Sequence, residues 1–195
     1  MSLLRKARNA IAVWRRSGFR YLASVLASRW GLPILRSHRS KWKAGITPEL
    51  AFWDDYFRTR GLQWTDGYVD RLDPDFPLQP RAAALLPPQT EVHILDVGAG
   101  PLTCLGKKND GKHIKITAVD PLAYAFHRIL RKYHIQPLVK TQELAGEELT
   151  KLFAPNTFDL VFAKNCLDHA YDPERAILEA IEVVKRGRYV LLEHA

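Results

Sequence analysis

The distribution of apolar and polar residues from position 91 onward predicts alternating strands and helices. Short runs rich in Val, Ile, Leu and Phe are separated by segments whose apolar residues recur at helical spacing. We predict strands at 92–97, 115–120, 137–141, 158–163 and 189–193, and helices at 123–133, 143–152 and 173–185. Strands that alternate with helices form a parallel sheet with helices on both faces. The expected fold class is therefore α/β, with about five mostly parallel strands.

Turn and cap residues mark the start of the last helix and limit the length of the first crossover. Asp172 stands directly before Pro173, and an aspartate followed by a proline is typical of a helix N-terminus. The first crossover, between positions 100 and 115, is short and contains an Asn-Asp-Gly turn. It has room for only about two helical turns.

The N-terminal segment is strongly basic. The first 48 residues contain eleven Lys and Arg and no acidic residue, whereas the rest of the chain carries 18 basic and 21 acidic residues. Apolar residues recur there at helical spacing, at Leu4, Ala7, Ile11, Trp14, Leu22 and Val25. A basic helix within residues 1–43 suits peripheral association with an anionic membrane, contact with nucleic acid, or capping of the following domain. No nucleic-acid module accompanies the charge, and an organelle transit peptide has a similar composition.

A second helix is predicted at 47–59, followed by a turn-rich segment. Thr47 suits the N-cap, Pro48 the first helical position and Glu49 the first turn. Glycines and prolines between 61 and 90 predict a linker or a lid. The expected organisation is a basic and aromatic helical extension at 1–60, a linker or lid at 61–90, and a sheet domain at 91–195.

A glycine turn carries the clearest chemical signal in the chain. The strand at 92–97 runs into Gly98, Ala99 and Gly100, and Asp120 ends the next predicted strand. Glycines let backbone N–H groups approach a ligand, and an ionised carboxylate accepts both hydroxyls of a ribose. The pair suggests a nucleotide-like cofactor, although a Gly-x-Gly turn also serves as a plain strand-to-helix connection.

Composition restricts the classes of protein to which the chain can belong. Its 195 residues, 47% of them hydrophobic, suffice for one globular domain and an extension. Cys104 and Cys166 have no metal-site spacing, so we expect neither a disulfide framework nor a bound metal. No apolar stretch approaches the roughly 20 residues of a membrane-spanning helix, and no secretory signal is evident. We therefore expect a cytoplasmic protein, at most peripheral to the membrane.

The ordered set of strand ends resembles a known family. It comprises Ile94-Leu-Asp-Val-Gly-Ala-Gly100, Val119-Asp120, Thr157-Phe-Asp-Leu-Val-Phe162, and the helix after Asp172 that leads to Tyr189-Val-Leu-Leu-Glu193. Over residues 91–195 this set resembles the class I S-adenosylmethionine-dependent methyltransferases of the type 11 kind. The resemblance implies a Rossmann-like fold, with S-adenosyl-L-methionine as the cofactor.

A dinucleotide-binding domain is the main competitor, because it also places glycines after its first strand and an acid after its second. Two residues argue against it. Asp96 precedes the first glycine, where the resemblance implies a carboxylate that contacts the methionine end of the cofactor or orders the loop. The position of the third glycine in the dinucleotide fingerprint falls on Thr103.

The resemblance implies further cofactor contacts, residue by residue. The turn at 98–100 would line the amino-acid and ribose parts, Asp120 would bind the ribose hydroxyls, and Pro121 or Leu122 would flank the adenine.

Two later segments of the chain would complete the cofactor site. For the contact near the adenine amine, Gly146 and Glu147 match best, with Gln142 as the alternative. Asn165 follows the fourth strand, where the resemblance implies that it faces the sulfonium.

Two polar residues beyond the fourth strand are candidates for catalysis. Asp168 and His169 lie where the carboxyl end of the sheet is expected, and Tyr171 could line the acceptor pocket. Methyl transfer needs a base only where the acceptor must lose a proton; His169 suits that role, with Asp168 orienting it. Alternatively, Asp168 starts a turn and His169 packs against the lid. The resemblance implies methyl transfer to a small-molecule or lipid-like acceptor.

The chain departs from the family pattern in two places. After Gly100 it continues with Pro101-Leu102-Thr103, so the loop must follow a different path. The family sheet has seven strands, whereas the final two have no counterpart here. The strand at 189–193 would then be an exposed edge, covered by the N-terminal helices, by a second copy or by residues outside this sequence. An NAD(P)-dependent oxidoreductase and a truncated, non-catalytic cofactor-binding or interaction protein stay open as alternatives.

Overall fold

The computed structural model describes residues 38–194, and its contacts divide the chain after Pro48. The helices are α1 (His38–Arg58), α2 (Thr65–Leu72), α3 (Pro80–Ala84), α4 (Ala123–Lys132) and α5 (Pro173–Val183). The strands are β1 (Glu91–Val97), β2 (His113–Asp120), β3 (Gln142–Glu143), β4 (Phe158–Lys164) and β5 (Val184–Glu193). Two short 3-10 helices cover Gly146–Lys151 and Leu167–His169. The account below concerns the unit Glu49–Ala195.

The five strands form one parallel sheet in the order β3-β2-β1-β4-β5, which confirms the predicted α/β fold. β1 lies at the centre, where Ile94 pairs with Ile116 of β2 and with Leu160 of β4. The chain order reverses between β1 and β4. Ligands of such sheets bind at the carboxyl ends of the strands beside this reversal.

Alternate residues of β1 and β4 face two separate cores. Residues on one side pack with α5; they are Leu95, Val97, Val161 and Ala163. Residues on the other side pack with Leu78 and α3; they are Val92, Ile94, Leu160 and Phe162. The segment 61–90, for which a linker or lid was predicted, therefore contributes α3 and Leu78 to the core of the sheet domain.

The predictions for the third strand and the helix after it were wrong. β3 comprises only Gln142 and Glu143, which pair with Val119 and Asp120 of β2, rather than residues 137–141. Pro137 has no N–H to donate to a sheet, which weakens a strand there. Residues Gly146–Lys151 form a 3-10 helix, with non-helical dihedral angles at Glu148, instead of the predicted α-helix.

The first crossover, which has room for at most about two helical turns, contains no helix at residues 101–112. The crossover lies against residues 73–79, here called the strap. The N–H of Lys107 donates to the carbonyl of Phe76 at 2.8 Å, and the N–H of Leu78 donates to the carbonyl of Lys108 at 2.7 Å. These bonds with the strap satisfy backbone groups that a helix would otherwise pair internally.

Helix α1 continues through Pro48, so the prediction of a helix beginning at Thr47 was wrong. A proline inside a helix removes one backbone hydrogen bond, and tertiary packing can outweigh that loss. Beyond Pro48 the helix is anchored by Tyr56 and Phe57, which are buried with Leu102 and Leu130. The aromatic residues of α1 thus join the helix to the glycine-turn side of the domain.

The second half of β5 forms the edge of the sheet, as predicted, with Tyr189 and Leu192 exposed. The strand begins at Val184, earlier than predicted, and α5 correspondingly ends at Val183 instead of reaching Lys185. The pairing with β4 is irregular at this point, because Val184 pairs with Phe158 and Tyr189 is the next pairing residue of β5. Pairing of this edge with a second copy stays a prediction.

Most of the N-terminal predictions fall on residues that the structure does not describe. The basic helix within residues 1–43 and its association with a membrane lie largely outside residues 38–194. Among the helices of the described range, none has both the length and the apolar character that a membrane span requires.

Candidate cofactor and active site

The turn after β1 holds two glycines in the left-handed region, with φ of +67° at Gly98 and +64° at Gly100. The N–H groups of Gly98 and Ala99 donate to the carbonyl of Val119, at 2.9 and 3.1 Å. A Cβ on Gly98 would lie 2.3 Å from the Cβ of Cys166, so a side chain has no space there. The turn is therefore packed tightly between the ends of β2 and β4.

Asp120, at the end of β2, is bound directly to this turn. Its carboxylate accepts the N–H of Leu122 at 2.8 Å and the N–H of Gly100 at 3.0 Å. The residue is 5% exposed. Burial, followed by the charge of Glu49, raises the pKa of Asp120 to about 6 against the opposing effect of the two N–H donors. Pro121 follows Asp120 directly and is partly buried.

Asp96 is buried beneath the same turn and holds the loop that follows. The hydroxyl of Thr103 donates to the carboxylate of Asp96, and the hydroxyl oxygen in turn accepts the N–H of Leu105 at 3.0 Å. Burial raises the pKa of Asp96 to about 7. Asp96 therefore orders this loop through Thr103, which stands at the position of the missing third glycine. Ordering of the loop is one of the two roles that the resemblance implies for Asp96.

Gly146 and Glu147 lie at the start of the 3-10 helix and contact α5 and the residue before it. A Cβ on Gly146 would lie 3.0 Å from Cγ1 of Val97 and 3.4 Å from the Cβ of Ala176. The buried carboxylate of Glu147 accepts the N–H of Asp172 at 3.1 Å. These contacts join the 3-10 helix to β1 and to the start of α5. Gln142, the alternative for the contact near the adenine amine, is exposed on β3.

The loop after β4 begins with Asn165 and Cys166. Asn165 has a φ of +51°, and its N–H donates to the carbonyl of Glu193 at 3.0 Å. The thiol of Cys166 donates to the carbonyl of Val97 at 3.3 Å. Burial, together with the nearby carboxylates, raises the pKa of Cys166 to about 12, so the thiol stays protonated and acts as a packing group.

His169 lies between two carboxylates at the edge of this region. Its Nδ1 is 3.7 Å from a carboxylate oxygen of Glu49, and its Nε2 is 3.4 Å from a carboxylate oxygen of Asp168. The pKa of His169 is raised, first by Glu49 and further by Asp168, although partial burial opposes the shift. The structure therefore brings both predicted catalytic residues together and adds Glu49 to them.

Trp53 covers the glycine turn and was not predicted as part of the site. A Cβ on Gly100 would lie 3.1 Å from Cζ2 of Trp53, so the indole rests directly on the glycine backbone. The guanidinium of Arg71 lies 5.5 Å from the centre of the indole ring. The sequence shows that Glu49 and Trp53 are four positions apart on a predicted helix, but not which surface that helix contacts.

A model of one protein family matches residues 95–192, half of the chain, and its description is "Methyltransferase domain". The chain belongs to this methyltransferase family. The matched range runs from β1 to β5 and includes the glycine turn, Asp120 and His169. No curated protein matches the chain.

Several solved structures are similar to the chain at low identity. The YcgJ protein of Bacillus subtilis is 20% identical over 57% of this chain and 47% of its own, with a TM-score of 0.42. A methyltransferase of Thermotoga maritima is 23% identical over 73% and 58%, with a TM-score of 0.45. A chain from the Haloferax volcanii complex of the Trm112 activator and a methyltransferase is 19% identical over 71% and 58%, with a TM-score of 0.48. The chain spans about half the length of the first of these structures.

S-adenosylmethionine is the cofactor of this methyltransferase domain. The residue types at the carboxyl ends of β1 and β2 fit it, because a buried carboxylate and a left-handed glycine lie in direct contact there. The Asp120 carboxylate retains acceptor capacity beyond its two N–H donors, since an ionised carboxylate offers about four lone-pair sites. The candidate site thus combines a buried carboxylate, a glycine turn and an exposed histidine at one edge of the sheet.

Proposed function

We propose that the domain transfers a methyl group from S-adenosylmethionine to a small-molecule or lipid-like acceptor. The observation that carries the proposal is that Asp120, bonded to the glycine turn by the N–H of Gly100 at 3.0 Å, and His169, 3.4 Å from Asp168, both follow strands at the same edge of the sheet. The two residues follow different strands, β2 and β4, which lie on either side of β1. A cofactor bound beside Asp120 would therefore lie close to a group that can accept a proton.

The cofactor would be held by the groups at the ends of β1 and β2. Asp120 would accept the ribose hydroxyls, residues 98–100 would line the ribose and amino-acid parts, and Pro121 would flank the adenine. Asp96 would act through the loop that Thr103 anchors. Gly146 and Glu147 would close the adenine side, and Asn165 would lie next to the sulfonium.

The chemistry of the bound cofactor is the donation of an electrophilic methyl group to a nucleophilic oxygen, nitrogen or carbon atom. The protein has to align the acceptor with that methyl group, which supplies much of the rate enhancement in an in-line displacement. Where the acceptor carries a proton, the neutral imidazole of His169 accepts it. Asp168, 3.4 Å from Nε2, orients the ring and stabilises the imidazolium that results.

Calorimetry on the full chain tests the cofactor part of the proposal. We expect S-adenosylhomocysteine to bind and NAD not to bind. Asp120→Asn should weaken binding of S-adenosylhomocysteine about tenfold or more, because a hydrogen bond to a charged group contributes about 1.5–3 kcal/mol. Asp110→Asn, at an exposed position in the crossover, is the matched control and should bind as the wild type does.

Two outcomes, one of this calorimetry and one of a methyl-transfer assay on the same protein, contradict the proposal. Binding of NAD without binding of S-adenosylhomocysteine would indicate an oxidoreductase. Retained binding of S-adenosylhomocysteine with no methyl transfer to any oxygen, nitrogen or carbon acceptor would indicate a non-catalytic cofactor-binding protein.

We further propose that residues 1–43 associate with anionic membrane surfaces, which would place the protein at the cytoplasmic face of a membrane. The support is the basic, acid-free composition of this segment and its helical spacing of apolar residues. We expect the full chain to float with liposomes rich in phosphatidylserine and to be released by salt, because such attraction is screened within about 10 Å at 0.1 M salt. A truncated chain beginning at residue 44 should not float with the liposomes. Flotation of the full chain that does not change with salt concentration would contradict the proposal.

A further inference from the structure

The carboxylate that would bind the cofactor is covered by the protein itself. Asp120 is 5% exposed and Ala99 is 8% exposed, and Gly100 between them in space is buried too. Part of this cover comes from α1, because the indole of Trp53 rests on Gly100. The surface over Gly100, next to Asp120, is therefore occupied by α1.

Two residues of α1 contact the two sides of the expected cofactor cleft. Trp53 lies on Gly100, in the loop after β1, and Glu49 lies 3.7 Å from His169, in the loop after β4. Residues four positions apart share one face of a helix, so a single turn of α1 carries both contacts. β1 and β4 are the strands between which the chain order reverses, where ligands of such sheets bind.

The contact at Glu49 is an ion pair, whereas the contact at Trp53 is a packing contact. His169 faces the carboxylates of Glu49 on α1, Asp168 on its own 3-10 helix and Asp120 at the end of β2. Both partners of the pair keep access to water, so the pair is weak enough to open. Trp53 is stacked with Phe57, meets Phe126 of α4 edge to face and lies beneath the guanidinium of Arg71, so its contact is made by packing alone.

We propose that the turn of α1 formed by residues 49–53 is a gate over the cofactor site. The Glu49–His169 pair is its latch, and Trp53 is the side chain that fills the opening over Gly100. The proposal rests on the proposed function, since it assumes that the cofactor binds beside Asp120. Its consequence is kinetic: opening of this turn limits both the arrival and the departure of the cofactor.

Surface plasmon resonance on the immobilised full chain tests the gate, with S-adenosylhomocysteine as the probe. Glu49→Gln keeps the shape of the side chain and removes its charge. We expect it to raise the association and dissociation rates together, by about two- to fivefold, the range for a partly exposed ion pair. Trp53→Ala should raise both rates by about tenfold or more, because a large packed aromatic ring is lost.

Two controls, one on α1 and one directly before α2, distinguish a gate from a general loosening. Asp55→Asn removes a carboxylate whose partner is Arg58 on the same helix, and Trp64→Ala removes an exposed indole. Both should leave the two rates unchanged. Circular dichroism reports whether Trp53→Ala folds; if it does not, Glu49→Gln alone decides the test. NMR titration should show a lower pKa of His169 in Glu49→Gln than in the wild type.

Three results would overturn the gate. All three concern Glu49→Gln. The first is an association rate that does not change, and the second is a dissociation rate that rises alone, which would indicate that Glu49 contacts the bound cofactor. The third is an unchanged pKa of His169. A chain that does not bind S-adenosylhomocysteine in any variant contradicts the proposed function first. Normal binding with unaltered rates contradicts only the gate.

Discussion

Gly106→Ala is expected to destabilise the domain by roughly 3 kcal/mol or more, among the largest effects of any single substitution. A Cβ at this position would lie 1.7 Å from the carbonyl oxygen of Pro77, 2.1 Å from its carbonyl carbon and 2.5 Å from the nitrogen of Leu78. All three atoms belong to the backbone of the strap, so no flexible side chain can move aside. The crossover and the strap have to separate.

The separation has consequences beyond the clash. It breaks the hydrogen bonds between the crossover and the strap, and it shifts Leu78, which is buried against β1 and β4. The thermal unfolding midpoint should fall by roughly 6–12 °C, since 1 kcal/mol corresponds to about 2–4 °C in a domain of this size. Chemical denaturation and differential scanning calorimetry measure the effect.

Gly67→Ala is the matched control for this prediction. Gly67 lies in α2 and has no atom within 4 Å of an added Cβ. Alanine is favoured over glycine in a helix by about 0.5–1 kcal/mol, so this variant should be as stable as the wild type or more stable. If Gly106→Ala had the same unfolding midpoint as Gly67→Ala, the strap would not be packed on the crossover as described.

His169→Gln and His169→Ala are expected to reduce methyl transfer about a hundredfold or more while S-adenosylhomocysteine still binds. The reason is that the imidazole would be the group that takes the acceptor proton, and its removal leaves Asp168 without a ring to orient. The assay uses an acceptor found by screening alcohols, amines and carbon acids for transfer of a labelled methyl group. His113→Gln, at an exposed histidine on β2, is the control and should keep wild-type turnover.

The pH dependence of turnover provides a second readout of the same role. Glu49 and Asp168 raise the pKa of His169, and a base works only in its deprotonated form. The rate at saturating cofactor should therefore rise as the pH increases through this raised pKa, and the rise should disappear in His169→Gln. Asp120, with a pKa of about 6, titrates lower and affects cofactor binding, so the cofactor has to be saturating. Wild-type turnover in both His169 variants would remove His169 from the mechanism.

Much of the candidate site was predictable because it follows strand ends. The carboxyl ends of parallel strands lie at one edge of a sheet, so Gly100, Asp120 and His169 could be placed near one another from the strand pattern alone. The direct contact between Gly100 and Asp120 agrees with that inference.

Other parts of the structure depend on packing between distant segments. Pro48 suggested the start of a helix, because a local preference was weighed without the aromatic packing that anchors α1 beyond the proline. The segment 137–141 was predicted as a strand from its apolar residues, whereas only Gln142 and Glu143 reach β2. In both cases local propensity was outweighed by contacts that are not visible along the chain.

The sequence by itself determined the parallel sheet, the glycine turn beside an acidic residue, and through these the methyltransferase family. These features are local or periodic, so they are visible in the order of residues. Only the tertiary structure decided that Trp53 lies on Gly100, and that Glu49 lies beside His169 and raises its pKa. The physical reason is that α1 packs against residues that lie about 50 and 120 positions further along the chain. The order of residues does not show which face of the helix is buried or which surface buries it.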